Sequence, residues 1–254
     1  MINQAEVKRL RALQQKKVRA ETGRFLVQGR KVVSELLASS LRIESVYASA
    51  AAADWIGAAA AERDVPLYEL AEHQLERVGT FETGNELVAV AVAPDPPAFR
   101  APGARELMLA LDDVHDPRNM GGLLRIADWF GISTVICSPD CMEIYNPKVV
   151  QSSMGSLFRV QVRYAPLVEE LGRCAAAGAR VYLADMDGTP VFEATLSRPA
   201  VLVLGSESHG LSEAVRAMNP AVISIPRIGR AESLNVAMAA AALCTEFARQ
   251  APPA

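Results

Sequence analysis

Beyond residue 106 the chain repeats one pattern, a short and almost wholly apolar run followed by a stretch with helical spacing. The apolar runs fall at residues 107–111, 134–137, 180–184, 200–204 and 221–225, with a weaker one at 158–162. Helical spacing marks 121–130, 147–154, 166–177, 212–218 and 234 to about 249. A strand that is apolar on both faces has no side to give to water, so it belongs in a parallel sheet covered by helices on both sides. This half of the chain is therefore expected to be an α/β domain. In such sheets ligands bind beyond the carboxyl ends of the strands.

The first 93 residues alternate less regularly. A basic helix is predicted over 3–20, with strands at 25–28, 45–48, 66–69 and 87–92 and helices at 31–38 and 50–61. Between residues 94 and 103 lie four prolines and a glycine, the composition of a linker. The expected organisation is a smaller α/β domain over 1–93, a proline-rich linker over 94–105 and a parallel-sheet domain over 106–254.

Half of the residues are apolar and 22% are charged, which fits a globular chain and excludes disorder or a coiled coil as its theme. The longest apolar stretch, 236–244, has nine residues, against the roughly 18 that a spanning helix needs. The opening MINQAEVKRLR is polar and basic, so no membrane partner is expected and a cytoplasmic location is. The four cysteines, Cys137, Cys141, Cys174 and Cys244, have no histidine or second pair at metal-ligand spacing, so reduced structural thiols and no metal are expected.

The net charge of -3 hides a division. Residues 1–31 carry Lys8, Arg9, Arg11, Lys16, Lys17, Arg19, Arg24, Arg30 and Lys31 against only Glu6 and Glu21, a local balance of +7. Lysine and arginine release counterions when they neutralise phosphates, so such a segment suits a nucleic-acid backbone. On charge alone, a solvated helix face is an equally open reading.

Three loops follow strands and carry unusual residues. The first, DDVHDPRNMGGLLR, places Asn119 near a helix start and Arg125 six residues on; capping by Asn119 and an Arg125 pair with Asp128 or Asp112 is an equally open structural reading. The second, LGSESHGLS, holds Glu207 between glycines and matches neither a phosphate loop nor a hydrolase elbow. The third, IPRIGRAESLNVA, offers Ser233 as an N-cap and sets Asn235 inside the following helix, where asparagine is a mediocre helix former. Arg227 and Arg230 add positive charge to it.

Taken in order, DDVHDPRNMGGLLRIADWFGI, VLVLGSESHGLS and ISIPRIGRAESLNVAMAAAALCTEF resemble motifs 1, 2 and 3 of the SpoU (TrmH-type) RNA 2'-O-methyltransferases. Residues 1–93 are more loosely similar to that family's L30e-like substrate-binding domain. The resemblance implies a deep C-terminal trefoil knot, a rare exception to unknotted topology, and a homodimer. It further implies S-adenosylmethionine as cofactor, held by Leu204, Gly205, Ile225 and Leu234, and a polar catalytic cluster of Asn119, Arg125, Glu207, Ser233 and Asn235. RNA would be the substrate, ribosomal RNA in preference to transfer RNA, met by Lys8, Arg9, Arg11, Lys16, Lys17, Arg30, Arg118 and Arg230. A different class of reading is a catalytically silent RNA-binding or ribosome-assembly protein that keeps the fold.

Overall fold

The apolar runs form two separate sheets in the computed structural model, which describes residues 4–79, 85–206 and 209–252. The chain divides into two units, one holding the residues up to Asp95 together with Glu143–Arg159, the other Pro96–Met142 and Val160–Ala254.

The first unit is built on four strands, β1 (Arg24–Gln28), β2 (Ile43–Ala48), β3 (Leu67–Glu69) and β4 (Leu87–Val92), in the order β1-β4-β2-β3. β4 runs antiparallel to both β1 and β2, and β2 and β3 are parallel. Helices α1 (Gln4–Ala12), α2 (Lys16–Thr22), α3 (Arg30–Ala38), α4 (Ala50–Glu62) and α5 (Glu72–Val78) surround them. The residues Val7, Leu10 and Leu13 close a core with Leu26, Tyr47, Leu75, Val78 and Val88. The single basic helix expected over 3–20 is broken into α1 and α2. Arg19, buried, donates from Nη1 to the carbonyls of Leu13 and Gln14 at 2.9 and 2.8 Å, taking acceptors that a continuous helix would use. Helix α5 was not expected, because Leu75 and Val78 supply only one apolar step of helical spacing.

The expected 106–254 domain includes Glu143–Arg159, yet that segment packs with the first unit. It carries α7 (Pro147–Ser152) and a single 3-10 turn at Ser156–Phe158. Arg19 pairs with Glu143, and Tyr145 stacks on Phe25 with ring centroids 4.5 Å apart. A chain segment follows its contacts rather than its place in a sequence pattern, and the linker signal says nothing of a later segment that packs elsewhere.

In the second unit six strands run parallel in the order β10-β8-β9-β5-β6-β7. They are β5 (Leu107–Asp112), β6 (Thr134–Cys137), β7 (Gln161–Tyr164), β8 (Arg180–Pro190), β9 (Ala200–Gly205) and β10 (Ala221–Ser224). Helices α6 (Pro117–Trp129), α8 (Leu167–Ala176), α9 (Glu213–Arg216) and α10 (Val236–Gln250) cover the sheet. β5 and β9 are buried along almost their whole length, as strands covered on both faces must be. The weak run at 158–162 resolves into the 3-10 turn followed by β7, and β8 continues past its apolar stretch to Pro190. The direction of the chain's progress across the sheet reverses between β5 and β9, which is where open α/β sheets form their crevice.

The segment leading into β5 is locked by Arg100, whose Nη1 and Nη2 donate to Glu106 at 2.5 and 2.7 Å, while the Gly103 N–H donates to the same carboxylate at 2.6 Å. The Arg100 guanidinium is the main cause that holds Glu106 down to about 2, against an ordinary value of 4.5. A lowered carboxylate contributes stability that is complete above its unfolded value and lost as pH falls through its folded one. The advantage of wild type over Glu106→Gln in urea midpoint is therefore expected to be constant above about pH 5 and to shrink steadily toward about pH 2. An advantage independent of pH across that window would mean the pair carries no linkage.

Candidate active site

The first loop begins where β5 ends. Asp116 caps α6, its Oδ1 accepting from the N–H groups of Arg118 and Asn119 at 2.8 and 2.9 Å, and Pro117 takes the first helical position, where its missing N–H costs nothing. The helix therefore starts four residues before the expected Gly121. Asn119 sits in its first turn and is not its cap. Cys141 anchors the loop from below: its thiol donates to the Leu111 carbonyl at 3.2 Å, and its sulfur accepts from the Val114 N–H at 3.3 Å. A hydrogen bond with Cys137 is the main cause that lowers the Cys141 thiol to about 7, while Cys137 is pushed well up. All four cysteines are buried and free.

The third loop ends in a different cap from the one expected. Asn235 caps α10, with Oδ1 accepting from Ala237 and Met238 N–H at 3.0 and 3.3 Å, and Ser233 stays exposed in the loop. Asparagine inside a helix had no structural reason; asparagine at the cap is among the most favoured choices. The other end of its amide reaches α6, Nδ2 donating to Asn119 Oδ1 at 2.8 Å. One side chain thus starts α10 and joins the first and third loops. Asn235→Ala is expected to lower stability by about 1–2 kcal/mol, whereas Asn235→Asp keeps the cap acceptor and loses only the donor to Asn119. Thermal melts of the two variants separate the roles; equal losses would mean the link to Asn119, not the cap, is what stabilises.

Arg125 lies further along α6, exposed, with no hydrogen bond or ion pair among the described residues. Neither pair expected of it in the structural reading forms: Asp112, buried, instead accepts from the Ser212 N–H at 2.7 Å through Oδ2. Six helical residues place Arg125 about 9 Å along the axis from Asn119 and a third of a turn around it, so the two side chains flank a region rather than touch.

A cleft of about 660 Å³ opens at the carboxyl ends of β8, β9 and β10. Its walls include Leu204, Gly205 and Ser206 from the second loop, and Ile225, Arg227, Glu232, Ser233 and Leu234 from the third. All four residues assigned to the cofactor thus line one cavity, together with Ser233, whereas Asn119 and Arg125 do not line it. At Gly205 a side chain has no room, since a Cβ would lie 2.3 Å from the carbonyl carbon of Gly210. Glu207 lies outside the described residues. The cleft also takes in Asp185, Met186 and Asp187, which the sequence reading missed. The signal was present in the acidic Asp-Met-Asp-Gly that follows an apolar run, because a glycine in a strand marks a bulge or a close backbone approach.

The basic residues divide. Arg9 is tied to Glu6 and Glu44, Arg24 to Glu44, Arg30 to Glu86 and Lys31 to Glu35, while Lys17 stands 3.9 Å from Glu21. The Glu6 carboxylate is the chief cause that raises Arg9 further above its ordinary range. Much of the local +7 is therefore answered by carboxylates from later in the chain. Lys8, Arg11, Lys16, Arg118 and Arg230 are exposed and form no ion pair among the described residues. No group of three or more histidine, cysteine, aspartate or glutamate side chains among the described residues is placed to hold a metal. None of their helices is long and apolar enough to cross a membrane.

Comparison with known proteins places both units. Residues 106–245 match the SpoU rRNA Methylase family, and residues 4–89 match the MRM3-like substrate binding domain. The 23S rRNA (guanosine(2553)-2'-O)-methyltransferase RlmP of Bacillus subtilis is 30% identical over 239 residues, 94% of each chain. A TrmH-family protein from Porphyromonas gingivalis superposes with a TM-score of 0.87 at 38% identity, covering 98% of this chain and 99% of that one. The SpoU methyltransferase AviRb of Streptomyces viridochromogenes, solved in complex with S-adenosylmethionine, does so with a TM-score of 0.85 at 29% identity, covering 98% of both chains. The parallel sheet, the three loops at its carboxyl edge and these matches agree, and the chain belongs to the SpoU rRNA methylase family.

Proposed function

We propose that this protein transfers a methyl group from S-adenosylmethionine to a ribose 2'-hydroxyl of RNA, ribosomal rather than transfer RNA, and that it does so in the cytoplasm as a homodimer with a knotted C-terminal segment. The observation that carries the reading is the cleft at the ends of β8, β9 and β10, bordered by the loop whose Asn235 is joined to Asn119. The preference for ribosomal RNA is supported by the name of the Bacillus relative, which acts on a guanosine of 23S rRNA.

The cleft fits the cofactor. Its volume lies within the roughly 300–1,000 Å³ of small-molecule sites. Leu204, Ile225 and Leu234 offer apolar walls to an adenine ring, and Gly205 brings bare backbone to its edge. When bound, S-adenosylmethionine supplies an electrophilic methyl on a sulfonium. The chain's own residues must align the ribose oxygen with it and relieve that oxygen of its proton. In this reading Arg125 acts as a cation and not as the base. Its unpaired charge suits negative charge growing on the 2'-oxygen or the adjoining phosphate. Asn119 and Asn235 hold the edge of the site, Ser233 lines the cleft, Glu207 is given a catalytic role by the resemblance alone, and Lys8, Arg11, Lys16, Arg118 and Arg230 meet phosphates.

Two observations support the homodimer. Asn119 and Arg125 do not line the cleft within one chain, so a second copy can bring an Arg125 to it. Trp129 on α6 and Met238 on α10 are 84% and 67% exposed, and α6 packs against α10, so the two helices together offer large apolar side chains for a second copy to cover. The knot is supported by the resemblance of the second and third loops to the family's motifs and by the packing of α10 against α6.

The test is transfer of labelled methyl from S-adenosylmethionine to total RNA from cells lacking the gene, with wild type and Asn119→Ala. Label in the large ribosomal RNA, lost in the variant, is expected. Label in transfer RNA would overturn the substrate, and cofactor binding without transfer to any RNA would favour a silent binding protein.

A further inference from the structure

β8 and β10 lose register in the middle of their pairing. Val222 pairs with Leu183, but the next residue, Ile223, pairs with Thr189, so residues 184–188 leave the ladder as a bulge. The bulge closes at Gly188, where a Cβ would lie 2.6 to 2.8 Å from the backbone of Ile223 and only glycine fits. Bulges re-aim side chains, and this one puts Asp185, Met186 and Asp187 on the wall of the cleft. Asp185 is already paired with Arg216. Asp187 is exposed and has no ion pair among the described residues. Arg227 lines the same cleft from the third loop, and among the described residues its only hydrogen bond is a long one, 3.5 Å from Nη1 to the carbonyl of Ala231.

The cleft thus carries one uncommitted carboxylate on the bulge and one uncommitted guanidinium on the third loop, beside the apolar walls of Leu204, Ile225 and Leu234. Resting on the methyltransferase reading above, we infer that Asp187 receives the α-ammonium of S-adenosylmethionine and Arg227 its carboxylate, so that the protein recognises the amino-acid end of the cofactor as a zwitterion. Both contacts are charge-assisted, the stronger kind of hydrogen bond, and the guanidinium matches a carboxylate with two parallel donors. Glu232 also lines the cleft. It shares the third loop with Arg227, and the assignment leaves it without a role in binding.

Calorimetric titration of the full chain with three ligands tests this. S-Adenosylmethionine has the sulfonium and the amino-acid end, S-adenosylhomocysteine keeps only the amino-acid end, and 5'-methylthioadenosine has neither. Asp187→Asn and Arg227→Gln are each expected to raise Kd about tenfold for the first two and to leave the third within about twofold, with Glu232→Gln neutral throughout. A loss confined to S-adenosylmethionine would mean that Asp187 answers the sulfonium, and the assignment would be wrong. Unchanged binding of all three ligands, or the loss appearing in Glu232→Gln instead, would overturn it as well. A wild type that binds none of the three would overturn the methyltransferase reading itself, a result distinct from those.

Discussion

Arg125→Ala is expected to slow methyl transfer by about 100- to 1,000-fold while leaving S-adenosylmethionine affinity within about twofold. The magnitude is that of removing one preorganised donor aimed at developing charge. The separation of the two effects follows from position, because Arg125 does not line the cleft of its own chain that we assign to the cofactor. It stands exposed on α6 with no ion pair among the described residues, so its removal breaks no internal contact that stability depends on. Single-turnover rates with saturating RNA separate chemistry from RNA binding. A variant with the wild-type rate and only weaker RNA binding would reduce Arg125 to a phosphate contact.

Gly205→Ala is expected to be the most damaging single methyl group in the second unit. The added Cβ would meet the carbonyl carbon and oxygen of Gly210 at 2.3 and 2.4 Å and the Leu211 nitrogen at 2.6 Å, all backbone atoms that cannot rotate away. Gly205 also pairs with Asp112 across β9 and β5, and Asp112 holds Ser212 on the far side of the same loop. The strand end and the loop must therefore separate together. Overpacking of this kind costs about 1–3 kcal/mol or more, and cofactor titration is expected to show no binding. Urea unfolding of the variant gives the first quantity and calorimetry the second. An alanine variant of normal stability and normal affinity would show that the loop adapts, and that Gly205 does not shape the cleft.

The parallel sheet was legible because strands buried on both faces must be written in apolar residues, and β5, β6, β8 and β9 all start within the expected runs. Local capping chemistry was harder to read. Ser233 and Asn235 are both good caps, and only the packing of α10 against α6 decides between them, by giving the Asn235 amide a second partner in Asn119. The basic N-terminal segment shows the limit more sharply. Its local charge invites a phosphate, yet Glu44, Glu86 and Glu143 return from distant positions to Arg9, Arg24, Arg30 and Arg19. Pairing of that range has no local signature. Nor does the docking of Glu143–Arg159 with the rest of the first unit, which includes the Arg19–Glu143 and Arg159–Glu35 pairs and the Phe25–Tyr145 stack. The residues assigned to the cofactor rest on resemblance alone, and the bulge over 184–188 carries no apolar signal, since the apolar run ends where it begins.

The most direct measurement is alkaline hydrolysis of ribosomal RNA labelled by the enzyme from methyl-labelled S-adenosylmethionine. A methyl on the 2'-oxygen blocks the attack of that oxygen on the neighbouring phosphate, so the linkage survives alkali. The label is expected in alkali-resistant dinucleotides, and to be absent from the same RNA treated with Arg125→Ala over the same time. Label released in mononucleotides would place the methyl on a base, and would contradict ribose methylation by this chain.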